Sequence, residues 1–195
     1  MSKMFFTSDT HFDDTRLDVF SRPFKDVDEL NKTLVKNWNS VVGKNDDVYH
    51  LGDFSTTPGG FDFAKKLNGK IHLILGNYDI DNIGKFDQGM FESIQKDLTL
   101  TIKGTDYFLT HKPVDTLPDM FNLCGHIHGL WKVQRNIINV GTDAWHFIPV
   151  SEDKIEYQRN GIVNYYDDNV FVAEYFSNRT ATTIELLKGY SDGHR

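Results

Sequence analysis

The chain of 195 residues is long enough for one domain with its own core, and 39% hydrophobic with 25% charged residues is a globular composition. The net charge of −7, from 21 basic and 28 acidic residues, disfavours a long nucleic acid as partner but is compatible with a small anionic substrate. The single cysteine, Cys124, excludes an internal disulfide, and no apolar run is long enough to cross a bilayer, so we expect a cytoplasmic protein without a membrane partner.

Segments of strand and helix character alternate through the first half of the chain, which predicts an α/β fold. The clearest helix is Asp26–Val41, where apolar residues recur at helical spacing, Asp26 can cap the first turn and Gly43 follows the last turn. Buried strands are predicted at Lys3–Ser8, Asp47–Leu51 and Ile71–Leu75, and a short helix at Phe61–Leu67.

The second half of the chain has the alternating pattern of further strands. These are predicted at Leu98–Ile102, Tyr107–Thr110 and Phe121–Cys124, with a hairpin of Val133–Arg135 and Ile137–Val140. A last helix is predicted at Ser151–Asn160, capped by Ser151 and ending near Gly161. We expect a single domain over residues 1–195, with a core of residues 1–160 and a C-terminal extension of residues 161–195.

Seven side chains that can bind metal ions lie directly after predicted strands: Asp9, His11, Asp53, Asn77, His111, His126 and His128. Taken singly, each of them could equally be a capping or turn residue. Because α/β folds bind ligands at the carboxyl ends of their strands, we expect the seven to converge. Imidazole, carboxylate and amide donors suit Mn²⁺, Fe or Zn²⁺. Seven donors are too many for one ion, which favours two ions about 3.5–4 Å apart.

The order Asp-x-His, Gly-Asp, Gly-Asn-x-Asp, His and Gly-His-x-His resembles the calcineurin-like metallophosphoesterase superfamily over residues 4–150. Segments that look like a small phage and bacterial branch of it are residues 8–12, 22–24, 37–39, 48–54 and 139–143. The resemblance implies an α/β fold in which a two-sheet β-sandwich is flanked by helices, in α-β-β-α layers. It also implies a hydrolase of phosphate esters, in the host cytoplasm if a phage encodes it.

Carried over position by position, the resemblance implies a dinuclear metal centre. One ion is expected on Asp9, His11 and His128 and the other on Asn77, His111 and His126, with Asp53 as the bridge. Mn²⁺ is the expected metal, with Fe, Zn²⁺ or Ni²⁺ as alternatives, and no other cofactor is implied. The resemblance further implies that a hydroxide shared between the ions attacks phosphorus, with Asp53 in the catalytic set.

One position departs from the family pattern. Where the family has Gly-Asn-His-Asp, with a histidine that stabilises the transition state or protonates the leaving alkoxide, this chain has Tyr78. A phenol can donate a hydrogen bond but is poorly matched to proton transfer at neutral pH. We therefore place Tyr78 in the catalytic set and favour a phosphodiesterase over a monoesterase, with a small phosphate ester or nucleotide as substrate.

The alternative is a catalytically weakened or inactive protein that binds metal and nucleotide, in which Tyr78 is a natural loss or a deliberate substitution. Either interpretation leaves the oligomeric state open. Among the neighbouring residues, Asp79 is expected to support its loop, and Arg22 is expected to be a solvent-exposed cation. His50 has two interpretations, one as a residue that orients a metal ligand and one as a histidine packed in a central strand.

Overall fold

A computed structural model describes residues 2–165 of the chain. The strands in chain order are β1 (Met4–Thr7), β2 (Asp47–His50), β3 (Lys70–Ile74), β4 (Ser93–Gln95), β5 (Leu98–Ile102), β6 (Thr105–Leu109), β7 (Phe121–Cys124), β8 (Val133–Gln134), β9 (Ile137–Asn139) and β10 (Val150–Ser151). The α-helices are α1 (Val27–Val41), α2 (Asn77–Asn82) and α3 (Glu152–Tyr165). Short 3₁₀ helices lie at Pro58–Lys66, Gln88–Met90, Pro113–Asp115 and Thr142–Trp145.

The strands form two five-stranded sheets. The first has the order β10-β1-β2-β3-β4, in which β1 to β4 are parallel and β10 is antiparallel to β1. The second has the order β5-β6-β7-β9-β8, in which β6, β7 and β9 are parallel and the two outer strands are antiparallel to their neighbours. The expected α/β architecture of two sheets flanked by helices is confirmed. The parallel strands of each sheet deliver their carboxyl ends to one edge.

Helix α1 begins and ends where the sequence predicts. The Asp26 side chain accepts a hydrogen bond from the Glu29 backbone N–H at 2.9 Å, which satisfies a donor that the first turn leaves free. Leu34 and Trp38 project from the buried face of α1 into a core that includes Val48 of the first sheet. Burying one such side chain stabilises the fold by about 1.5–3 kcal/mol. The helix therefore fixes one face of the first sheet, and with it the loops at the edge of that sheet.

Several boundaries differ from the sequence-based expectations. The helix expected at residues 61–67 is the 3₁₀ helix Pro58–Lys66, since Thr57 caps it and the proline sits in its first turn. The last helix does not end near Gly161 and continues to Tyr165, because a glycine inside a helix costs only about 1 kcal/mol relative to alanine. Its expected cap is present, since Ser151 accepts from the Lys154 backbone N–H at 3.4 Å.

The chain divides into two compact units, Met1–Asn160 and Gly161–Arg195. Both sheets belong to the first unit. Most of the C-terminal extension, residues 166–195, lies outside the described residues, so a single domain over residues 1–195 stays a prediction. Within residues 2–165, no helix combines the length and the apolar character needed to span a bilayer.

Candidate metal centre

The loops that follow β1 and β2 run side by side, because the two strands are parallel and end at the same level. Thr7 pairs with His50 at the end of this register. Beyond the strands, the Asp9 N–H donates to the Gly52 carbonyl at 2.9 Å, and the His11 N–H donates to the Asp53 carbonyl at 3.1 Å. These hydrogen bonds place two acidic side chains and a histidine within one small volume at the edge of the first sheet.

A first group of side chains that could hold a metal ion is formed by Asp9, His11 and His128. One ligand atom from each lies within 4.8 Å of the others. Asp9 and His11 are fully buried, and neither Asp9 Oδ1 nor His11 Nε2 has a hydrogen-bond partner within residues 2–165. Buried polar atoms are almost always hydrogen-bonded, so such atoms facing one another fit a site for a cation.

A second group is formed by Asp53, His111 and His126, again with one ligand atom of each within 4.8 Å of the others. The ring nitrogens His126 Nδ1 and His111 Nε2 are 3.2 Å apart. Asn77 lines the same pocket as His111, and its Oδ1 atom is buried without a hydrogen-bond partner in the described part of the chain. An amide oxygen in this state is chemically suited to join the second group.

The Asp53 carboxylate belongs to the second group and also lies next to His11 of the first group. Its Oδ2 atom is 3.3 Å from His111 Nε2 and 3.9 Å from His11 Nε2. Its Oδ1 atom accepts a hydrogen bond from the Tyr78 backbone N–H at 3.0 Å, which fixes the orientation of the carboxylate. One oxygen is therefore held by the protein while the other faces both groups.

Five of the seven predicted metal ligands have left-handed backbone. Positive φ angles occur at Asp9 (57°), His11 (48°), Asp53 (56°), His126 (71°) and His128 (50°). This conformation is costly for residues other than glycine and is found where function requires a side chain to be aimed in one direction. Five of the eleven non-glycine residues with positive φ in the described part of the chain are therefore predicted metal ligands.

Gly52 makes the close approach of these loops possible. Its φ angle is +91°, and a Cβ atom at this position would lie 2.6 Å from both the Gly76 nitrogen and His111 Nδ1. Any larger residue would push apart the loops after β2 and β3 and the ring of His111. The Gly-Asp motif thus provides both a carboxylate and the room for its neighbours.

The pKa values of His11 and His111 are shifted in opposite directions. Burial lowers the pKa of His11 to about 3, so its ring is neutral at pH 7 and free to donate a lone pair. Burial opposes the charged form of His111 too, but the carboxylates of Asp53 and Asp9 raise the pKa of His111 to about 9. His111 Nδ1 must donate to the Leu51 carbonyl, 2.7 Å away, so its Nε2 atom faces Asp53 and is the atom that could bind a metal.

His128 is oriented by a buried ion pair that the sequence did not reveal. The Asp143 carboxylate lies 2.8 Å from His128 Nδ1 and accepts two hydrogen bonds from Arg22, at 2.8 and 2.9 Å. These contacts lower the pKa of Asp143 to about 2 in spite of its burial. Arg22 also donates to the carbonyls of Asp9 and Thr10. The expectation of an exposed Arg22 is wrong, because carbonyl and carboxylate partners satisfy its guanidinium inside the protein.

Asp79 supports its loop as expected. Its fully buried carboxylate accepts from three backbone N–H groups: Asp53 at 2.7 Å, Gly76 at 2.8 Å and Phe54 at 3.0 Å. Burial raises the pKa of Asp79 to about 7 even though these donors favour its charged form. Asp79 thereby ties the loop after β3 to the loop after β2.

His50 has features of both interpretations. It is fully buried in β2 and packs against Phe54, with ring centroids 5.0 Å apart. Its Nε2 atom also lies 2.9 Å from the hydroxyl of Thr10, which in turn donates to the Phe54 carbonyl at 2.9 Å. Since Thr10 stands between Asp9 and His11, His50 supports the backbone that carries two candidate ligands.

Tyr78 stands beside the first group, and its ring meets the His11 ring edge-on with centroids 5.3 Å apart. Its hydroxyl accepts a hydrogen bond from Arg16 Nη1 at 3.1 Å. Arg16 is held in turn by the buried Asp14 carboxylate, with contacts of 2.7 and 3.0 Å. The sequence offered no signal for Arg16, because a turn of irregular backbone brings it to Tyr78 across 62 positions of the chain.

Comparison with known proteins agrees with this geometry. The calcineurin-like phosphoesterase superfamily domain matches residues 3–147. The chain belongs to the calcineurin-like phosphoesterase superfamily. Its two groups of candidate ligands accord with the use of divalent metals in that superfamily, and membership supports a hydrolase. The significance of tyrosine at position 78 stays a prediction.

Relatives of the chain come from an archaeon and a phage. It is 34% identical over 170 residues to an uncharacterised protein of Methanocaldococcus jannaschii, covering 80% of this chain and 90% of that protein. It is 31% identical over 194 residues to the gene 66 protein of Mycobacterium phage L5, covering 80% of this chain and 93% of that protein. A crystal structure of an Aquifex aeolicus protein of unknown function shares the fold, with a TM-score of 0.64, 21% identity, and coverage of 81% of this chain and 100% of the other.

Replacing Asp79 by asparagine is expected to lower the free energy of unfolding by about 1–3 kcal/mol, since at least one buried backbone N–H loses its acceptor. Urea unfolding of the metal-free protein measures this change. Asp81→Asn is the matched control, because Asp81 is exposed, and it is expected to alter stability by less than about 0.5 kcal/mol. Equal stability of the two variants would contradict the role given to Asp79.

The affinity for Mn²⁺ is expected to fall about tenfold for each pH unit below the His111 pKa of about 9. The affinity falls at lower pH because protons compete with the metal ion for His111. This residue is protonated below that pH, and only the neutral ring can bind a metal. Calorimetric titration between pH 6.5 and 8, in buffers of different ionisation enthalpy, measures both the affinity and the protons released. An affinity that is constant across this range, with no proton release, would refute the assignment.

Proposed function

We propose that the chain is a dinuclear metal-dependent phosphodiesterase that acts on a small phosphate ester or nucleotide. The observation that supports this most directly is the position of Asp53 Oδ2, 3.3 Å from His111 Nε2 and 3.9 Å from His11 Nε2. An oxygen that faces two sets of nitrogen and oxygen donors is suited to serve two ions at once.

In this proposal each group of side chains would hold one ion. Asp9, His11 and His128 would bind the first, Asn77, His111 and His126 the second, and Asp53 both. Bound ions would supply Lewis acidity toward the phosphoryl oxygens and a water molecule of lowered pKa. The mixed nitrogen and oxygen donors favour Mn²⁺, with Fe, Zn²⁺ or Ni²⁺ as alternatives.

The protein's own contribution to phosphate chemistry centres on Tyr78. Because Arg16 donates to the phenolic oxygen, the hydroxyl hydrogen is left to donate to an oxygen of the substrate. A phenol gives up its proton far less readily than an imidazolium does. The substrates that suit this site are therefore esters whose leaving group departs with little protonation, which favours diesters with acidic leaving groups over alkyl monoesters.

The surroundings of the second group favour a small anion. Lys96 and Lys112 line a pocket with Asn77 and His111, while the chain as a whole carries a net charge of −7. A local positive field can attract a phosphate ester, whereas a long polyanion would meet the acidic surface. We propose that the reaction takes place in the cytoplasm on a substrate that is neither a long nucleic acid nor a membrane component.

The test is hydrolysis of bis(p-nitrophenyl) phosphate, a diester with an acidic leaving group, and of glycerol 2-phosphate, an alkyl monoester, by the Mn²⁺-loaded protein. We expect kcat/KM for the diester to exceed that for the monoester by at least about tenfold.

Tyr78→Phe removes one hydrogen bond to the reacting phosphate and is expected to lower kcat about tenfold, which corresponds to about 1.4 kcal/mol. Asp53→Asn is expected to abolish turnover.

The matched control is Tyr157→Phe, because Tyr157 is 76% exposed on α3. This variant is expected to leave kcat and kcat/KM unchanged. Turnover of the monoester in preference to the diester would refute the diesterase assignment. If the unmodified protein is inactive with Mn²⁺, Fe, Zn²⁺ and Ni²⁺ while Tyr78→His is active, the proposed activity is wrong. The chain is then a binding protein whose site lacks a proton donor.

A further inference from the structure

An open pocket of about 540 Å³ adjoins the first group, and the His128 ring forms part of its wall. We call this cavity the His128 pocket. Its walls come from the loop after β1, the loop after β7 and the segment after β9, and most of the lining side chains are apolar: Val19, Phe20, Pro23, Ile127, Leu130 and Phe147. This volume lies within the range of about 300–1,000 Å³ that is usual for pockets that bind small organic molecules.

Two of the lining side chains are unusually exposed for their type. Val19 is 70% and Leu130 is 76% exposed, and they belong to different loops of the His128 pocket. Large apolar side chains that are exposed to solvent around the same cavity form a surface that an apolar ligand can cover. Their position next to a metal-binding histidine distinguishes them from apolar side chains scattered over the remaining surface.

Phe20 provides flat aromatic surface inside the pocket. Its ring stacks on the rings of His128 and His11, with centroids 4.4 and 4.7 Å apart, and the guanidinium of Arg22 lies 5.4 Å from its centroid. These contacts hold the ring in a fixed orientation. A preformed aromatic surface binds another flat ring without the entropy cost of ordering a mobile side chain.

The charge in the pocket is already neutralised. Asp143 is the acidic side chain in its lining, and it is paired with Arg22 and His128. The pocket at the second group is different, since it measures about 120 Å³ and its charged lining residues are Lys96, Lys112 and Asp115. The two sides of the site therefore differ in character, with a wide apolar cavity at the first group and a narrow, basic one at the second.

We propose that the His128 pocket binds an organic substituent of the phosphate ester, and that this substituent is a flat aromatic ring such as an aryl group or a nucleobase. The proposal rests on the proposed function in that the phosphate is placed at the two groups of ligands. It adds the chemical class of the substrate, which the ligand residues alone do not define. The phosphate at the metal centre and the ring against Phe20 are then bound by adjacent parts of one continuous site.

The test compares binding of phenylphosphonate, cyclohexylphosphonate and methylphosphonate to the Mn²⁺-loaded protein by calorimetry, at a pH where all three are dianions. These probes cannot be hydrolysed, and they differ only in the organic group. We expect phenylphosphonate to bind at least about tenfold more tightly than methylphosphonate, because binding removes the apolar surface of the ring from water. We expect it to bind at least about threefold more tightly than cyclohexylphosphonate, because only the phenyl ring can stack on Phe20. Equal affinities for the phenyl and cyclohexyl compounds would overturn the assignment to an aromatic ring.

Val19→Ser and Leu130→Ser are each expected to reduce the ratio of phenyl to methyl affinity at least threefold while leaving methylphosphonate binding unchanged. Val114→Ser is the matched control, because Val114 is 86% exposed and does not line the pocket. All three side chains are on the surface, so thermal unfolding is expected to be the same in each variant. A ratio that the two pocket variants leave unchanged would overturn the proposal.

Hydrolysis of bis(p-nitrophenyl) phosphate, measured on the same preparations, separates this proposal from the proposed function. Turnover together with equal binding of phenyl- and methylphosphonate would refute the aromatic pocket and leave the phosphodiesterase standing. Absence of turnover together with tight phenylphosphonate binding that depends on Val19 would support the pocket and refute the activity.

Discussion

The position of the Asp53 carboxylate is the constraint on which the rest of the site depends. Its backbone N–H donates to the buried Asp79 carboxylate, and its Oδ1 accepts from the Tyr78 N–H, so Oδ2 is the oxygen left to face both groups of ligands. The backbone carbonyl of Asp53 also accepts from the His11 N–H. A shift of this one residue would therefore change the separation and the orientation of both groups together.

Much of this arrangement could be predicted from the sequence, because it follows from a repeated rule. Asp9, Asp53 and Asn77 each come directly after a strand of the first sheet, and His111 and His126 follow strands of the second. Parallel strands deliver their carboxyl ends to one edge, so a pattern of polar residues after apolar runs is sufficient to predict convergence. Helix α1 and its aspartate cap could also be predicted, since the spacing of apolar residues and the cap are both local features of the chain.

Other features depend on distant contacts and had no local signal. Strands β4 and β10 are three and two residues long, too short for an apolar pattern to develop. Asp79 was expected to lie in a loop after β3, but it lies in helix α2, where its side chain accepts a hydrogen bond from the Gly76 N–H. The burial of Arg22 depends on Asp143, which lies 121 positions away, and sequence reasoning has no means of foreseeing such a pair.

The large sequence separation within the first group determines when that group can form during protein synthesis. Asp9 and His11 leave the ribosome long before His128 and its partner Asp143, which emerge only after most of the unit Met1–Asn160 has been made. A nascent chain that has just completed α2 already carries Asp53 and Asn77, yet it lacks every histidine of the second group and the third member of the first. Any metal ion that needs a complete group could therefore bind only late in biosynthesis, and a fragment that ends before His111 would contain neither complete group of candidate ligands.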